Sequence, residues 1–212
     1  MVLLGTRKRS LHARGIERRR RLLDAARALL SERELDEISL GDVAARANVP
    51  KGSAYHFYAD IQDLYSSLLT VIQAELIAES KRPIREPLKS WQDVISVLTK
   101  RGAAFYSRNA AARQLQIGPK TPPKLKLSDR RSDVAIGGLF EQHIDRLFKL
   151  PAIPDRSLIF FRAVEIADLM FCLSVLEHGS VTEPMQQEAS RAAIAYLESY
   201  LPEKLQPRRK AP

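Results

Sequence analysis

The sequence predicts an all-α protein, with an N-terminal helix-turn-helix domain of three helices followed by a larger C-terminal helical bundle. Apolar residues recur at spacings of three and four through most of the 212 residues. No segment alternates convincingly between apolar and polar residues, as half-buried strands do. Clusters of proline divide the pattern into helix-sized segments. The contents of hydrophobic residues (45%) and charged residues (28%) are ordinary for a globular chain, so a packed core is expected.

Residues 39–58 predict two short helices joined by a tight turn. Ser39 is a suitable N-cap for the first helix, with Asp42 three residues later in the position of a capping-box acid. Asn48 tolerates the left-handed conformation better than most residues, so it can end this helix. Pro50 marks the start of the second helix, where its missing N–H is not needed. Small residues between the two helices permit the close crossing of a helix-turn-helix.

The segment VAARANVPKGSAYHFYADIQDL, residues 43–64, resembles the DNA-binding core of TetR-type transcriptional regulators. The resemblance extends in residue detail over about residues 16–80. The matching positions are Val43, Ala44, Ala47, Val49, Lys51, Gly52, Tyr55 and Leu64, with Ser53 in place of the usual Thr. The departures are Asn48 for the turn glycine, Pro50 for Ser, Phe57 for His, Tyr58 for Phe, and Ile61 for a phosphate-contacting Lys.

This resemblance implies a homodimeric DNA-binding regulator, typically a repressor, that binds a palindromic operator and is released by a small-molecule ligand. Lys51 would contact a phosphate or a guanine edge, whereas Tyr55 and His56 would position the DNA backbone. Pro50 and Gly52 would shape the start of the recognition helix. The candidate DNA-binding residues are Arg18, Ser39, Lys51, Gly52, Ser53, Tyr55 and His56.

The charge distribution also favours double-stranded DNA as a partner. The net charge is +9, and the first 21 residues contain eight arginines and lysines against one acidic residue, Glu17. Arg18–Arg21 begin a predicted helix over 16–31, where cations oppose the helix dipole, so phosphate contact is the better explanation for them. A basic segment that is merely solvated is the alternative. We predict that residues 1–15 form a flexible basic arm and residues 16–62 the DNA-binding domain.

The remainder of the chain predicts a ligand-binding and dimerisation domain over residues 63–201, followed by a basic, disordered tail over residues 202–212. A long helix over 60–81 connects it to the DNA-binding domain. Residues 118–128 contain three prolines and three lysines and are predicted to form a loop. The other predicted helices cover residues 88–107, 110–117, 130–150, 158–178 and 182–201.

The last two helices predict the dimer interface. Residues 158–178 are apolar in nearly every direction around the helix axis, so this helix should be buried on all sides. In a domain of this size, one face would contact its own core and the opposite face a second subunit. Two helices from each protomer would then form a four-helix interface, and the resemblance implies the same arrangement.

The resemblance also implies an effector cavity within the C-terminal bundle. An apolar pocket with a few polar groups is typical of a small-molecule site. Taken alone, each candidate is better explained by a place in the core or on the surface than by ligand contact, and together they do not identify a ligand. The candidates are Trp91, Phe105, Tyr106, Arg108, Phe140, His143, Phe160, Arg162, Glu165 and Cys172.

The sequence offers no basis for catalysis. It has no glycine-rich phosphate loop and no GxSxG, CxxC or HExxH motif. Glu141, His143 and Asp145 lack the i, i+3 or i+4 spacing with which helical side chains share a metal ion. We therefore predict that the protein is not an enzyme and has no catalytic residue, metal or cofactor.

The location is predicted from the single cysteine and from the charges within the most apolar segment. Cys172 has no partner for an intrachain disulfide, which fits a reducing cytosol. Arg162, Glu165 and Asp168 interrupt residues 158–176, and membrane-spanning helices rarely carry three charges. A cytoplasmic protein with no membrane association is expected.

Two other functions remain compatible with parts of the sequence. One is a non-specific architectural DNA-binding protein that uses the basic arm, with steep salt dependence and no sequence preference. The other is a helical small-molecule-binding protein, or an enzyme, without DNA activity. Neither needs the motif over residues 39–58, which separates both from the sequence-specific regulator.

Overall fold

The computed structural model describes residues 3–85 and 87–208. Residues 1, 2, 86 and 209–212, which belong to the predicted arm, a loop and the tail, lie outside this range. The chain divides into two compact units, Met1–Val71 and Ile72–Pro212. The α-helices are α1 (Leu3–Leu29), α2 (Leu40–Arg46), α3 (Lys51–Phe57), α4 (Ile61–Lys81), α5 (Trp91–Arg108), α6 (Ala110–Ala112), α7 (Pro123–Leu147), α8 (Arg156–His178) and α9 (Glu183–Glu198). The all-α prediction is confirmed.

In the first unit, α1 packs on α2 and α2 packs on α3. A 3₁₀ turn, Leu35–Glu37, leads from α1 into α2. The core is continuous because Leu22, Leu30, Val43 and Ala54 are each at most 1% exposed. Tyr65 is fully buried, and its hydroxyl donates a hydrogen bond to the Leu35 carbonyl at 3.0 Å. This bond fixes the start of α4 against the 3₁₀ turn.

The first helix begins much earlier than the sequence predicted. We expected an arm without regular structure up to residue 15, but α1 is continuous from Leu3. Residues 3–15 contain no proline, and alanine, leucine, lysine and arginine all favour helix. The lack of an apolar period therefore did not prevent a helix here. Without an apolar period, this part of α1 lacks only the amphipathic pattern by which helices are recognised in a sequence.

The second unit is a bundle in which α8 packs on α7 and α9, and α5 packs on α9. Its core includes the fully buried side chains of Trp91, Ile95, Leu115 and Phe160. A capping box, formed by Ser90 and Asp93, starts α5. Between α6 and α7, residues 113–117 form a π-helix, where the sequence predicted one continuous short helix.

The helix α7 begins inside the segment that we predicted to be a loop. It starts at Pro123, seven residues before the expected start at residue 130. Proline is compatible with the first turn of a helix, since the N–H groups there have no intrahelical partner. The three prolines of residues 118–128 therefore include a helix start as well as a helix break.

The C-terminal segment is ordered as far as residue 208, contrary to our prediction of a disordered tail. The indole Nε1 of Trp91 donates to the Pro202 carbonyl at 3.0 Å. The backbone N–H of Lys149 donates to Gln206, and that of Arg208 donates to the Leu147 carbonyl. The Arg208 guanidinium also lies 2.6 Å from the Asp145 carboxylate. These partners are far away in the chain, so the local composition gave no indication of them.

In the single chain, the most apolar helix has one exposed face, as expected of a helix whose second face was predicted to contact another subunit. Along α8, Leu158, Leu169 and Leu176 are 44%, 55% and 63% exposed. Their spacings of eleven and seven residues place them on one stripe, opposite the buried side chains of Phe160 and Ala163. One face of α8 therefore carries three exposed leucines. Among the described helices, none combines the length and the hydropathy that crossing a membrane requires.

Candidate DNA-binding surface and C-terminal cavity

The turn between α2 and α3 has the geometry that the sequence predicted. Asn48 has a φ of 50°, in the left-handed region, directly after Ala47, the C-cap of α2. Pro50 occupies the N-cap of α3, and its carbonyl accepts the first hydrogen bonds of that helix, from Ser53 and Ala54. Val49, between these two residues, is buried. The turn thus holds α3 against α2.

Ser39 and Asp42 form the predicted capping box at the start of α2. The Asp42 N–H donates to the Ser39 hydroxyl at 3.1 Å, and the Ser39 N–H donates to the Asp42 carboxylate at 2.8 Å. The Ser39 hydroxyl donates to the same carboxylate, and this bond holds the pKa of Asp42 below its ordinary value. Ser39 therefore has a structural function in α2, besides being a candidate for DNA contact.

The short helix α3 is divided between a buried face and an exposed face. Ala54 is fully buried, and Tyr58 directly after the helix is 5% exposed. The exposed side chains include Lys51, His56 and Tyr55, the last 49% exposed. Gly52 is exposed as well, and Ser53 is half-buried. An exposed lysine, tyrosine and histidine on one short helix can donate hydrogen bonds to phosphates or base edges.

The four arginines at positions 18–21 do not have one common role. Arg21 donates to the carbonyls of Ala47 and Asn48, so it caps the C-terminus of α2. Arg20 pairs with Glu17 and Asp24. The Arg19 guanidinium lies 5.2 Å from the centre of the Phe57 ring. Arg18 is exposed and has no ion pair or hydrogen bond with the described residues, so it is the arginine of this group that is available to an anion.

The second unit contains an internal cavity of about 40 Å³ between α4, α5, α7 and α8. Most of its wall is hydrocarbon, including Leu98, Ile136 and Phe171. Of the predicted effector residues, Tyr106 and Phe140 line this cavity. Its other polar groups include the carboxyl groups of Asp133 and Asp168, neither of which the sequence analysis named as a candidate.

The other predicted effector residues lie away from the cavity lining. Trp91, Phe105 and Phe160 are buried in the bundle core. The His143 ring donates from Nε2 to the Ser80 carbonyl at 2.8 Å, and burial lowers the pKa of this imidazole. Cys172 is half-buried, and burial raises the pKa of its thiol.

The charged candidates are mostly engaged in pairs. Arg162 is exposed on α8. The Arg108 guanidinium lies 3.2 Å from the Glu79 carboxylate. The Arg130 guanidinium lies 2.8 Å from the Glu165 carboxylate, beside the acidic residues of the cavity. Glu165 was therefore predicted from the sequence, whereas the acidic residues near it, Asp133 and Asp168, were not among the candidates.

Asp129, Asp133 and Asp168 form an acidic cluster in which one carboxyl oxygen from each residue lies within 4.8 Å of the others. Asp129 and Asp133 are 4% and 5% exposed, and Asp168 is half-buried. Burial, reinforced by the neighbouring carboxyl groups, raises the pKa of all three. One residue of this cluster could have been noticed in the sequence. Asp168 lies in the middle of the most apolar helix, where an unpaired charge is unfavourable.

Comparison with known proteins identifies the helix-turn-helix. Residues 22–68 match the family model "Bacterial regulatory proteins, tetR family". A search of curated protein sequences finds no match. Seventy-two chains of solved structures are similar in fold.

Three of these solved structures cover most of both chains. A TetR-family transcriptional regulator from Streptomyces coelicolor is 23% identical, with a TM-score of 0.67 over 88% of this chain and 99% of that one. A TetR transcriptional regulator from Rhodococcus sp. RHA1 is 18% identical, with a TM-score of 0.64 over 87% and 97%. SmeT, the repressor of the Stenotrophomonas maltophilia multidrug efflux pump SmeDEF, is 13% identical, with a TM-score of 0.61 over 86% and 90%. At these identities the likeness shows the fold alone.

The buried turn, the exposed α3 and the two-unit helical architecture define a helix-turn-helix transcriptional regulator. Residues 22–68 match the tetR family of bacterial regulatory proteins, and the protein is a DNA-binding transcriptional regulator. The family resemblance predicted from residues 43–64 is confirmed.

Proposed function

We propose that the protein is a homodimeric repressor that binds a palindromic operator through α3 of each protomer. The observation that carries this proposal is the division of α3, which buries Ala54 and exposes Lys51, Tyr55 and His56. A two-fold dimer would present two such helices to half-sites about one turn of DNA apart. Arg18 would add a phosphate contact from α1.

The first test is selection of bound duplexes from a randomised DNA pool at near-physiological salt. A palindromic consensus is the expected result. Retention of DNA without any consensus would instead support a non-specific architectural protein, and no retention would contradict a DNA-binding function altogether. A regulator that increased transcription from the selected operator in a reporter assay would contradict repression while leaving DNA binding intact.

Lys51→Ala is expected to weaken operator binding by about 1–3 kcal/mol if the lysine contacts a guanine edge. If it contacts a phosphate, affinity should fall about equally for all sequences, and the slope of log K against log salt should fall by about one unit. Binding should be measured over a salt series. Lys100→Ala is the matched control, because Lys100 is an exposed helical lysine in the second unit and its loss changes the net charge equally. Equal effects of the two variants would contradict a specific contact by Lys51.

The proposed dimer interface is the exposed stripe of α8, formed by Leu158, Leu169 and Leu176, together with α9. Exposed leucines that share one helix face are typical of an interaction site, because exposing them to water costs free energy. The symmetric partner for such a surface is the same surface on a second copy. Tyr200, 41% exposed after α9, would extend the interface.

Leu169→Glu is expected to convert the dimer into a monomer, since each two-fold interface would bury two uncompensated carboxylates. Sedimentation equilibrium measures the change directly, and operator affinity should fall with it. Leu127→Glu is the control, because Leu127 is 65% exposed on α7 and lies outside the stripe. A wild-type monomer, or a Leu169→Glu variant that remains dimeric, would contradict this interface.

A small-molecule ligand in the C-terminal unit is proposed to release the operator. The internal cavity, with its apolar wall and few polar groups, supports this part of the proposal. A ligand that favours one of two states of the dimer needs a coupling free energy of only about 1–3 kcal/mol. If no compound altered operator affinity while a partner protein did, ligand control would be contradicted.

A further inference from the structure

We propose that the cavity of the C-terminal unit binds a small organic cation, with its ammonium group between Asp133 and Asp168 and its hydrocarbon part against the apolar wall. This inference rests on the proposed ligand control and adds the chemical class of the ligand. It is drawn from four features of the second unit: the lining of the cavity, the arrangement of the carboxyl groups, the scarcity of cations near them, and an unsatisfied acceptor beside them.

The cavity has a polar end and an apolar end. Asp133, Asp168 and Tyr106 form the polar end, where the Tyr106 hydroxyl lies 3.3 Å from the Asp168 carboxylate. Leu98, Ile136 and Val164 contribute to the apolar end. A cavity needs about 10–15 Å³ to hold one water molecule. The cavity of about 40 Å³ therefore accommodates a compound of only a few heavy atoms without rearrangement.

The carboxyl groups are poorly matched by partners within the protein. Asp129 accepts hydrogen bonds from the amide groups of Gln116, at 2.6 Å, and Gln73, at 3.4 Å. The neighbours of Asp133, by contrast, are other carboxyl groups, those of Asp129, Asp168 and Glu165. Asp168 has only the long contact with the Tyr106 hydroxyl. Asp133 and Asp168, which line the cavity, therefore have fewer hydrogen-bond donors than Asp129, which does not line it.

Among residues 14–85 and 87–208, no buried arginine or lysine neutralises the carboxyl groups of Asp129, Asp133 and Asp168. Arg130, whose charge acts on this group, is bonded to Glu165, and its side chain is 61% exposed to solvent. Several buried carboxyl groups must then either retain protons or acquire a cation from outside. Burial and mutual repulsion raise their pKa, so a bound ammonium group would replace those protons at neutral pH.

Beside the carboxyl groups lies an acceptor with no donor. The side-chain oxygen of Gln116 is buried and has no hydrogen-bond partner among the described residues, and the residue is 3% exposed. Its amide nitrogen is bonded to Asp129, so the unsatisfied oxygen lies at the edge of the same cluster. A buried acceptor without a donor is unfavourable by about 1–3 kcal/mol, and an ammonium group supplies donors.

An organic cation fits this cavity better than a divalent metal ion. A magnesium or calcium ion requires oxygen ligands on all sides, whereas most of this wall is hydrocarbon. The amides of Gln116 and Gln73 also present N–H groups to Asp129 where a metal site would present oxygens. The rings of Tyr106 and Phe171, with centres 5.9 Å apart, lie at the cavity and can contact a cation through their faces.

The test compares amines with neutral compounds of the same shape on the purified full chain at pH 7. The probes are n-propylammonium and n-butylammonium, against 1-propanol and 1-butanol, with thermal shift and calorimetry as readouts. We expect at least one amine to bind at least about 10-fold more tightly than its alcohol, because only the amine pairs with the carboxylates. Equal binding of amine and alcohol would overturn the proposal.

Two variants locate the ammonium group. Asp133→Asn and Asp168→Asn are each expected to weaken amine binding at least about 10-fold. Both should leave the free protein folded, because an isosteric amide relieves a buried charge. Asp155→Asn is the matched control: Asp155 is exposed, and asparagine tolerates its left-handed conformation, φ 50°. Unchanged amine binding in both cavity variants would overturn the assignment.

Two further outcomes would also contradict the inference. Stabilisation by magnesium, calcium or manganese chloride, abolished by Asp133→Asn and without any effect of the amines, would identify a metal site. Failure of every amine in the panel would overturn the chemical class. The underlying function is tested separately, by operator binding with and without the bound amine. An amine that binds but does not release the operator would contradict ligand control and leave the cation site established. Release of the operator by neutral compounds alone would support ligand control and contradict the cation site.

Discussion

Replacing Gly137 by alanine is expected to destabilise the second unit by about 1–3 kcal/mol. A Cβ at this position would lie 2.7 Å from the backbone nitrogen of Phe161 and 2.8 Å from its Cα. Both atoms belong to the backbone of α8, so no side-chain rotation relieves the clash, and α7 and α8 would have to move apart. The higher helix propensity of alanine, about 1 kcal/mol, offsets only part of this cost.

The neighbouring glycine provides the control for this prediction. A Cβ at Gly138 would have no atom within 4 Å, so Gly138→Ala should keep or raise the free energy of unfolding, by up to about 1 kcal/mol. Urea denaturation followed by circular dichroism measures both variants. If the two alanines had the same effect, the close approach of α7 to α8 at Gly137 would be contradicted.

The ligand-free protein is expected to lose stability as the pH rises through the neutral range, and Asp133→Asn is expected to reduce this loss. Burial first, and then the charges of Asp168, Asp129 and Glu165, raise the folded-state pKa of Asp133 above the unfolded value of about 4. Between these two values the folded state binds more protons than the unfolded state. Stability is therefore greatest below the unfolded pKa and falls above it, by up to about 1.4 kcal/mol per pH unit for each retained proton.

The measurement is the free energy of unfolding between pH 5 and pH 8, in buffers without amines. The groups that face Asp133 are Asp129 on its own helix, Glu165 and Asp168 on α8, and Tyr106 on α5, with Arg130 as the cation paired to Glu165. Asp155→Asn should retain the wild-type slope. A slope that was the same in Asp133→Asn as in the wild type would show that Asp133 is not the group that retains its proton.

The helix-turn-helix could be predicted from the sequence because its determinants are local. The capping box of Ser39 and Asp42, the left-handed Asn48 and the N-cap Pro50 each act within a few residues of the chain. Conformational preferences at this range depend on the residue and its near neighbours. The exposed face of α3 followed in the same way, since helical spacing turns the adjacent residues Ala54 and Tyr55 about 100° apart around the axis.

Helix boundaries were less predictable where the local sequence is compatible both with a helix and with a loop or arm. Pro123 both follows a loop and starts α7, and its role depends on whether a helix can continue after it. The basic N-terminal residues are compatible with an arm or with a helix. The ordered segment up to residue 208 was not visible in the sequence, because its hydrogen bonds join it to Trp91 and to residues 147–149.

The acidic cluster shows the limit of the same reasoning. Asp129 and Asp133 are four residues apart on α7, and Glu165 and Asp168 are three apart on α8, so each pair shares a helix face. That the two faces meet depends on the packing of α7 against α8, which Gly137 permits at a point where any side chain would clash. The sequence by itself determined most of the helices and the helix-turn-helix, because these depend on interactions between near neighbours. Only the tertiary structure decided which arginine caps α2, where the C-terminal segment packs and which carboxyl groups enclose the cavity, because those contacts join residues far apart in the chain.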